Sequence, residues 1–206
     1  MSAAYQKELD GLISSLSEQN NKPKLLLHSC CGPCSSYVLE YLSQFFDITV
    51  YYYNPSIYPE EEYLKRLDNQ DRLLALTGWA DRMETEYDHS EYLEAVKGYE
   101  DAPEGGMRCE ICFRQRIYKT AETAKVYGFD FFATTLTVSP HKNAELINRI
   151  SEEAERIYGI AHLPSDFKKK NGYKRSIELS REYDLYRQDY CGCEFSIRNR
   201  DKGENV

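Results

Sequence analysis

The chain has 206 residues, 41% of them hydrophobic, enough to bury the core of one domain. Its formal net charge of −8 excludes a uniformly basic nucleic-acid binder, and no stretch approaches the roughly 20 apolar residues of a membrane-spanning helix. The charge is divided, with 8 Lys or Arg against 19 Asp or Glu in residues 1–107, and 18 against 15 in residues 108–206.

In chain order, apolar positions 9, 12, 13 and 16 predict an amphipathic helix over residues 3–19, ahead of the main fold. Residues 24–29 (Lys-Leu-Leu-Leu-His-Ser) read as a buried strand that runs into Cys30-Cys31-Gly32-Pro33-Cys34. A helix follows with Val38, Leu39, Leu42, Phe45 and Phe46 on its buried face, then a strand over 47–53 stopped by Asn54-Pro55. Pro59 is placed to begin a helix over 60–76. A third strand is expected over 82–87, a short helix over 90–96, and a loop over 98–107 that delivers Cys109-Glu110-Ile111-Cys112. The next helix ends at Gly128, a strand covers 130–136, and a loop through Ser139-Pro140-His141 leads to a helix reaching Tyr158. The last helix is expected over 176–186, directly before Cys191-Gly192-Cys193.

Strands alternate with helices and no tandem hairpin signal occurs, which gives an α/β fold with a parallel sheet flanked by helices. The expected organisation is one α/β domain over residues 23–206 with an N-terminal helical extension over 1–22. Sites in such sheets form outside the carboxyl ends of strands, so Cys30 and His141 are expected on one edge. Residues 1–8 lack a basic segment followed by an apolar one, so a cytoplasmic location with reduced thiols is expected.

All seven cysteines fall into three groups, the mark of metal or redox chemistry. Two doublets, Cys30/Cys31 and Cys109/Cys112, supply four thiolates for zinc or an iron–sulfur cluster. Adjacent cysteines match zinc ribbons poorly, so spacing favours iron–sulfur; reduced, partly buried thiols are the bland alternative. A disulfide between Cys191 and Cys193 would close a very small loop, stabilise little and be labile, which suits a dithiol that yields two electrons. Further metal ligation is its competing role. Cys34 is left as a packing residue, an extra ligand, a site for an additional metal ion, or a resolving thiol.

His28 and His141 lie where a proton source would be useful, though a structural role suits His28 equally. His89 and His162 have no neighbouring chemistry. Neither a G-x-x-x-x-G-K-[ST] loop nor a G-x-G-x-x-G fingerprint occurs, so electrons are expected from an external donor. Residues 167–175 place five cations and two aromatics together, either a solvated loop or a phosphate-binding patch.

Read in order, His28-x-Cys30-Cys31-Gly32-Pro33-Cys34-Ser35, Asn54-Pro55-x-Ile57-x-Pro59, Glu62-Tyr63-x-x-Arg66, Arg108-Cys109-x-x-Cys112, Gly128-Phe129-Asp130, Thr134-Thr135-Leu136, Ser139-Pro140-His141-Lys142-Asn143 and Tyr186-Arg187-Gln188-x-Tyr190-Cys191-Gly192-Cys193 resemble the QueH-type epoxyqueuosine reductases. The likeness spans residues 24–196. It implies a cobalamin-independent oxidoreductase that reduces the epoxide of epoxyqueuosine in tRNA to queuosine, the last step of its biosynthesis. It implies a 4Fe–4S cluster on Cys30, Cys31, Cys109 and Cys112, a redox-active pair at Cys191 and Cys193, and a Rossmann-like topology similar to the nucleotide α-hydrolases. Cysteines stand here where those enzymes carry phosphate-loop glycines, so ATP use is not implied. For a tRNA substrate, residues 168–175 and 198–202 are expected phosphate contacts. Tyr51, Tyr52, Tyr53, Tyr58 and Tyr63 are expected stacking platforms for a splayed base. The rival readings are a zinc-stabilised, non-catalytic RNA-binding module and a metal-free thiol–disulfide oxidoreductase.

Overall fold

A computed structural model describes residues 2–16 and 22–201. Its centre is β1 (Lys24–His28), in which every residue after Lys24 is buried. β1 pairs in parallel with β2 (Asp47–Tyr51) on one side and β4 (Phe131–Thr134) on the other. β3 (Asp81–Met83) and β5 (Ala161–His162) complete a five-stranded sheet in the order β3-β2-β1-β4-β5, parallel throughout.

The period of two along each strand divides the core. Leu25 and Leu27 of β1, Ile48 and Val50 of β2 and Ala133 of β4 face one apolar cluster. It is filled by α2 (Gly32–Leu42), α3 (Glu60–Thr77) and α1 (Ser2–Leu16), whose Leu9 and Ile13 are buried in it. Leu26, Tyr51 and Phe132 face the opposite cluster, filled by α5 (Met107–Val126) and α6 (Ala144–Tyr158). Burying each such aliphatic side chain is worth about 1.5–3 kcal/mol, so these two layers carry the fold.

The chain order reverses beside β1, and the crevice outside the carboxyl ends of β1 and β4 is where such a sheet forms its site. Ser29 N–H continues the ladder to Tyr51 O at 3.0 Å, and Cys30 N–H then turns to Thr135 Oγ1 at 3.3 Å. Thr135 opens a 3-10 turn (Thr135–Val138), so the predicted strand over 130–136 stops at Thr134.

The strand expected over 82–87 reaches only Met83, because its partner β2 ends at Tyr51. The final helices also differ from expectation. α7 (Gly172–Glu182) starts four residues before the expected helix and absorbs part of the basic segment. α8 (Glu194–Asp201) follows Cys193, and α4 (His89–Ala95) precedes the loop to α5. Gly172 is obligatory for α7, since a Cβ there would collide with the Phe167 carbonyl oxygen and the Tyr37 ring of α2.

Candidate active site and metal centre

Cys30, Cys31 and Cys34 lie where β1 turns into α2, with Pro33 in the helix's first turn and Cys31 as its extended N-cap. Their three Sγ atoms lie within 4.8 Å of one another. Cys30 and Cys31 are buried, with Sγ atoms 3.9 Å apart, and Cys34 is half-buried. Beneath them Ser29 and Ser35 both donate to Gln70 Oε1 of α3 at 2.7 Å. That network ties the cysteine turn to a second helix.

The trio shares protons unequally. Hydrogen bonds from Cys31 and Cys34, with help from the Lys142 charge, hold Cys30 well below the ordinary thiol range despite burial. The hydrogen bond with Cys30 pushes Cys31 up to about 11, and Cys34 is also raised, first by Cys30 and then by Cys31. One thiolate forms readily here, and a metal ion would have to displace the other protons.

Cys109 and Cys112 stand one helical turn apart in the first turns of α5. Cys109 Sγ accepts from Gly105 N–H at 3.2 Å, and burial raises its pKa. Cys112 packs with Tyr92, Cys193 and Phe195. The structure thus brings Cys30 and Cys31 within ligand distance of Cys34; Cys109 packs against the same apolar cluster as that trio, whereas Cys112 packs with Cys193.

The Cys191-Gly192-Cys193 turn is fixed from α3. Arg66, only 2% exposed, pairs through Nε with Glu62 at 2.6 Å and donates through Nη1 to Cys191 O at 3.1 Å. Tyr58 N–H donates to Gly192 O at 2.8 Å. Gly192 has φ +103°, and a Cβ there would meet Arg66 Nη1 at 2.6 Å, so only glycine fits. The hydrogen bond from Cys193 holds Cys191 well below the ordinary thiol range, with Lys142, Arg116 and Arg66 adding to it, while the same bond raises Cys193.

A cavity of about 510 Å³ joins these groups, and Cys30, Cys34, Cys191, Glu104, Arg116 and Lys142 all line it. Arg116 is 4% exposed and, like Lys142, has no carboxylate partner among the described residues. A buried cation without a counter-charge costs several kcal/mol, so this site is built around an anion. Burial opposes the Lys142 charge, but the Cys30, Cys191 and Cys34 thiols together hold its pKa above the ordinary value. Thiolate donors with cations between them fit an anionic thiolate-ligated metal group. Glu104 is raised by burial and then by Cys191.

The QueH family model, described as epoxyqueuosine reductase QueH, matches residues 25–199. A relative named epoxyqueuosine reductase QueH from Streptococcus pyogenes serotype M1 is 44% identical over 199 residues, covering 94% of this chain and 78% of the relative. The chain belongs to the QueH family.

A second QueH relative, from Staphylococcus epidermidis, is 43% identical, with 93% of this chain and 84% of the relative covered. That from Thermotoga maritima is 36% identical, covering 85% and 91%. Among solved structures, the U34-tRNA thiolase NcsA from Methanococcus maripaludis with its 4Fe–4S cluster matches with a TM-score of 0.52 at 12% identity, covering 98% of this chain and 75% of that one. That likeness bears out the Rossmann-like, nucleotide α-hydrolase-like fold.

Against this QueH framework, several expected site residues change role. His28 is fully buried, its ring nitrogens meeting Thr134 Oγ1 at 2.9 Å and Tyr53 O at 3.1 Å. Burial, then the Arg116 charge, drive its pKa down to about 3, so it is a neutral structural residue and no proton source. Tyr51, Tyr52, Tyr53 and Tyr63 are buried, and Tyr58, 43% exposed, has its ring centre 5.1 Å from that of His89; Tyr173 and Tyr190 line the cavity instead. In the basic segment, Lys168 pairs with Asp166, Lys170 with Asp10, and Arg175 with Glu40. Residues 198–202 lie outside the described side chains. Sequence reading gave no role to Arg66, Lys142 or Gln188, although each sits in a quoted motif. Arg116 was missed altogether, though it lies one helical turn beyond Cys112.

Proposed function

We propose that this QueH protein reduces the epoxide of epoxyqueuosine in tRNA to the alkene of queuosine, consuming two electrons and two protons and releasing water. The observation that carries the reading is the convergence of Cys30, Cys34, Cys191, Lys142 and Glu104 on one cavity. Cys30, Cys31, Cys109 and Cys112 are the proposed ligands of a 4Fe–4S cluster. Cys34, within 4.8 Å of Cys30 and Cys31, is the thiol available to an additional metal ion. Bound there, the cluster would supply single electrons, and an additional ion at Cys34 would supply Lewis acidity.

The protein's own groups do the rest. Cys191 opens on the cavity and Cys193 lies behind it, so the pair yields two electrons as its S–S bond forms. An external donor, acting through the cavity, returns the pair to the dithiol. Lys142 neutralises charge developing on the departing oxygen. Glu104 is kept protonated longer than an ordinary carboxyl and delivers a proton to that oxygen. Among the described residues no helix is long and apolar enough to cross a membrane.

The test is an anaerobic reaction with tRNA carrying epoxyqueuosine and a chemical reductant, followed by nucleoside mass analysis. The expected product lacks one oxygen; its absence overturns the reading. Cys191→Ser and Cys193→Ser should each abolish multiple turnover while leaving cluster absorbance intact.

A further inference from the structure

The segment carrying the dithiol is pinned at several points before it reaches Cys191. Tyr186 N–H donates to Asn69 Oδ1 at 2.7 Å, and Lys65 Nζ sits 3.5 Å from the centre of the Tyr186 ring. Arg66 and Tyr58 then hold the carbonyls of Cys191 and Gly192. Between these anchors one contact ends on sulfur: Gln188 Nε2 donates to Cys31 Sγ at 3.0 Å.

The rest of that amide is poorly served. Gln188 Oε1 is buried with no hydrogen-bond partner among the described residues. A buried unpaired carbonyl carries a desolvation penalty that a leucine of similar volume would avoid. The amide therefore makes physical sense here through its N–H bond to Cys31. Hydrogen bonds donated to a metal-bound sulfur stabilise the more negative, reduced state of the group it holds.

We propose that Gln188 is a positioning residue for electron transfer: its amide ties the dithiol segment to Cys31 and, through that sulfur, raises the reduction potential of the metal group held there. This rests on the reading of Cys31 as a cluster ligand. Gln188 stands three residues before Cys191, so the same side chain sets the register between the two redox centres. A shift of the segment would change the hydrogen bond and the dithiol's placement together.

The test is an equilibrium redox titration of the anaerobically reconstituted holoprotein, followed by visible absorbance and electron paramagnetic resonance. In Gln188→Leu the reduction equilibrium should become about tenfold less favourable, 59 mV for one electron, with iron content and melting temperature unchanged. In Gln188→Glu, where a carboxylate faces the sulfur, the shift should be in the same direction and larger. A purely structural role would move melting temperature or iron content and leave the potential alone. Unchanged potential in both variants at full iron content overturns the proposal. So does loss of iron in Gln188→Leu accompanied by a wild-type potential in Gln188→Glu. A wild-type protein without iron–sulfur absorbance would instead overturn the underlying cluster reading, which separates the two failures.

Discussion

At the scale of single residues, the two thiols of the Cys191/Cys193 pair are unlike. Cys191 lines the cavity, whereas Cys193 is 7% exposed beneath Tyr92 and Phe195. The pair loses its first proton at Cys191, whose pKa lies well below the ordinary thiol value of about 8.5. A lowered pKa means that thiolate persists as pH falls through the ordinary range and disappears only near the lowered value. In the reduced protein, iodoacetamide should therefore modify Cys191 first, with its rate falling off at a lower pH than that of an ordinary thiol, and with Cys193 lagging until the protein unfolds. Lys142→Met removes a cation that helps hold Cys191 down, so the acid limb should move to higher pH. At a fixed pH on that limb, about tenfold less thiolate should remain for each pH unit the limb moves. Peptide mass mapping across the pH range checks this; equal labelling of the two thiols would contradict it. Gly192 offers a second test at this scale. Gly192→Ala meets both an unfavourable φ and the Arg66 guanidinium, whereas Gly128, at φ +70°, has open space around it. Gly128→Ala should cost about 1 kcal/mol with activity retained. Gly192→Ala should also displace Arg66 and lower turnover on the order of tenfold or more, a factor of ten corresponding to 1.36 kcal/mol of lost transition-state stabilisation.

At the scale of elements, the site depends on helices that hold the cysteine turns from outside. α7 packs along α2, the helix that begins at the Cys30 turn, and the close approach at Gly172 leaves no room for a methyl group. Gly172→Ala should cost about 1–3 kcal/mol or more by overpacking. At roughly 2–4 °C per kcal/mol for a chain of this size, the melting temperature falls by several degrees or more. Gly159→Ala, whose nearest neighbour is the flexible end of Lys125, should cost only the left-handed strain of its φ of +63°, about 1 kcal/mol, as parallel thermal melts will show. Element scale also explains what the sequence could disclose. Leu25, Leu26 and Leu27 declare a strand buried on both faces, and Val38, Leu39 and Leu42 declare the helix after it, because burial imposes their periods. β5 has two residues, too few for any period, and α7 begins inside a run of lysines that reads as loop. The three cysteine groups were legible from spacing. The placement of Arg116 and Lys142 among the thiols depends on β1, α5 and the turn after β4 meeting at one sheet edge. No local pattern encodes that meeting.

At the scale of the whole molecule, a chain of net charge −8 must receive a polyanion. Its field repels tRNA at long range, so binding has to depend on a local set of cations. The cavity supplies Arg66, Arg116, Lys142 and Arg187 against two carboxylates, Glu104 and Asp189, but Arg66 and Arg116 are buried. Outside the cavity, three of the cations in residues 168–175 are engaged in ion pairs: Lys168 with Asp166 in its own loop, Lys170 with Asp10 of α1, and Arg175 of α7 with Glu40 of α2. Lys169 and Lys174 remain exposed without an ion pair among the described residues, and they flank Tyr173, which lines the cavity. If α7 receives the tRNA backbone, these two are its candidate phosphate contacts. Removing one of them should flatten the dependence of log K on log salt by about 0.7–0.9, because fewer counterions are released. The double variant Lys169→Glu/Lys174→Glu should therefore weaken tRNA binding most at low salt and lower the slope by about 1.4–1.8 in all. Arg175→Ala, by contrast, removes a pair with Glu40 at 2.6 Å and should lower the melting temperature while leaving the slope alone. Binding isotherms at several potassium chloride concentrations separate the two effects. An unchanged slope in the double variant would move the phosphate-binding surface away from α7 and onto another face of the molecule.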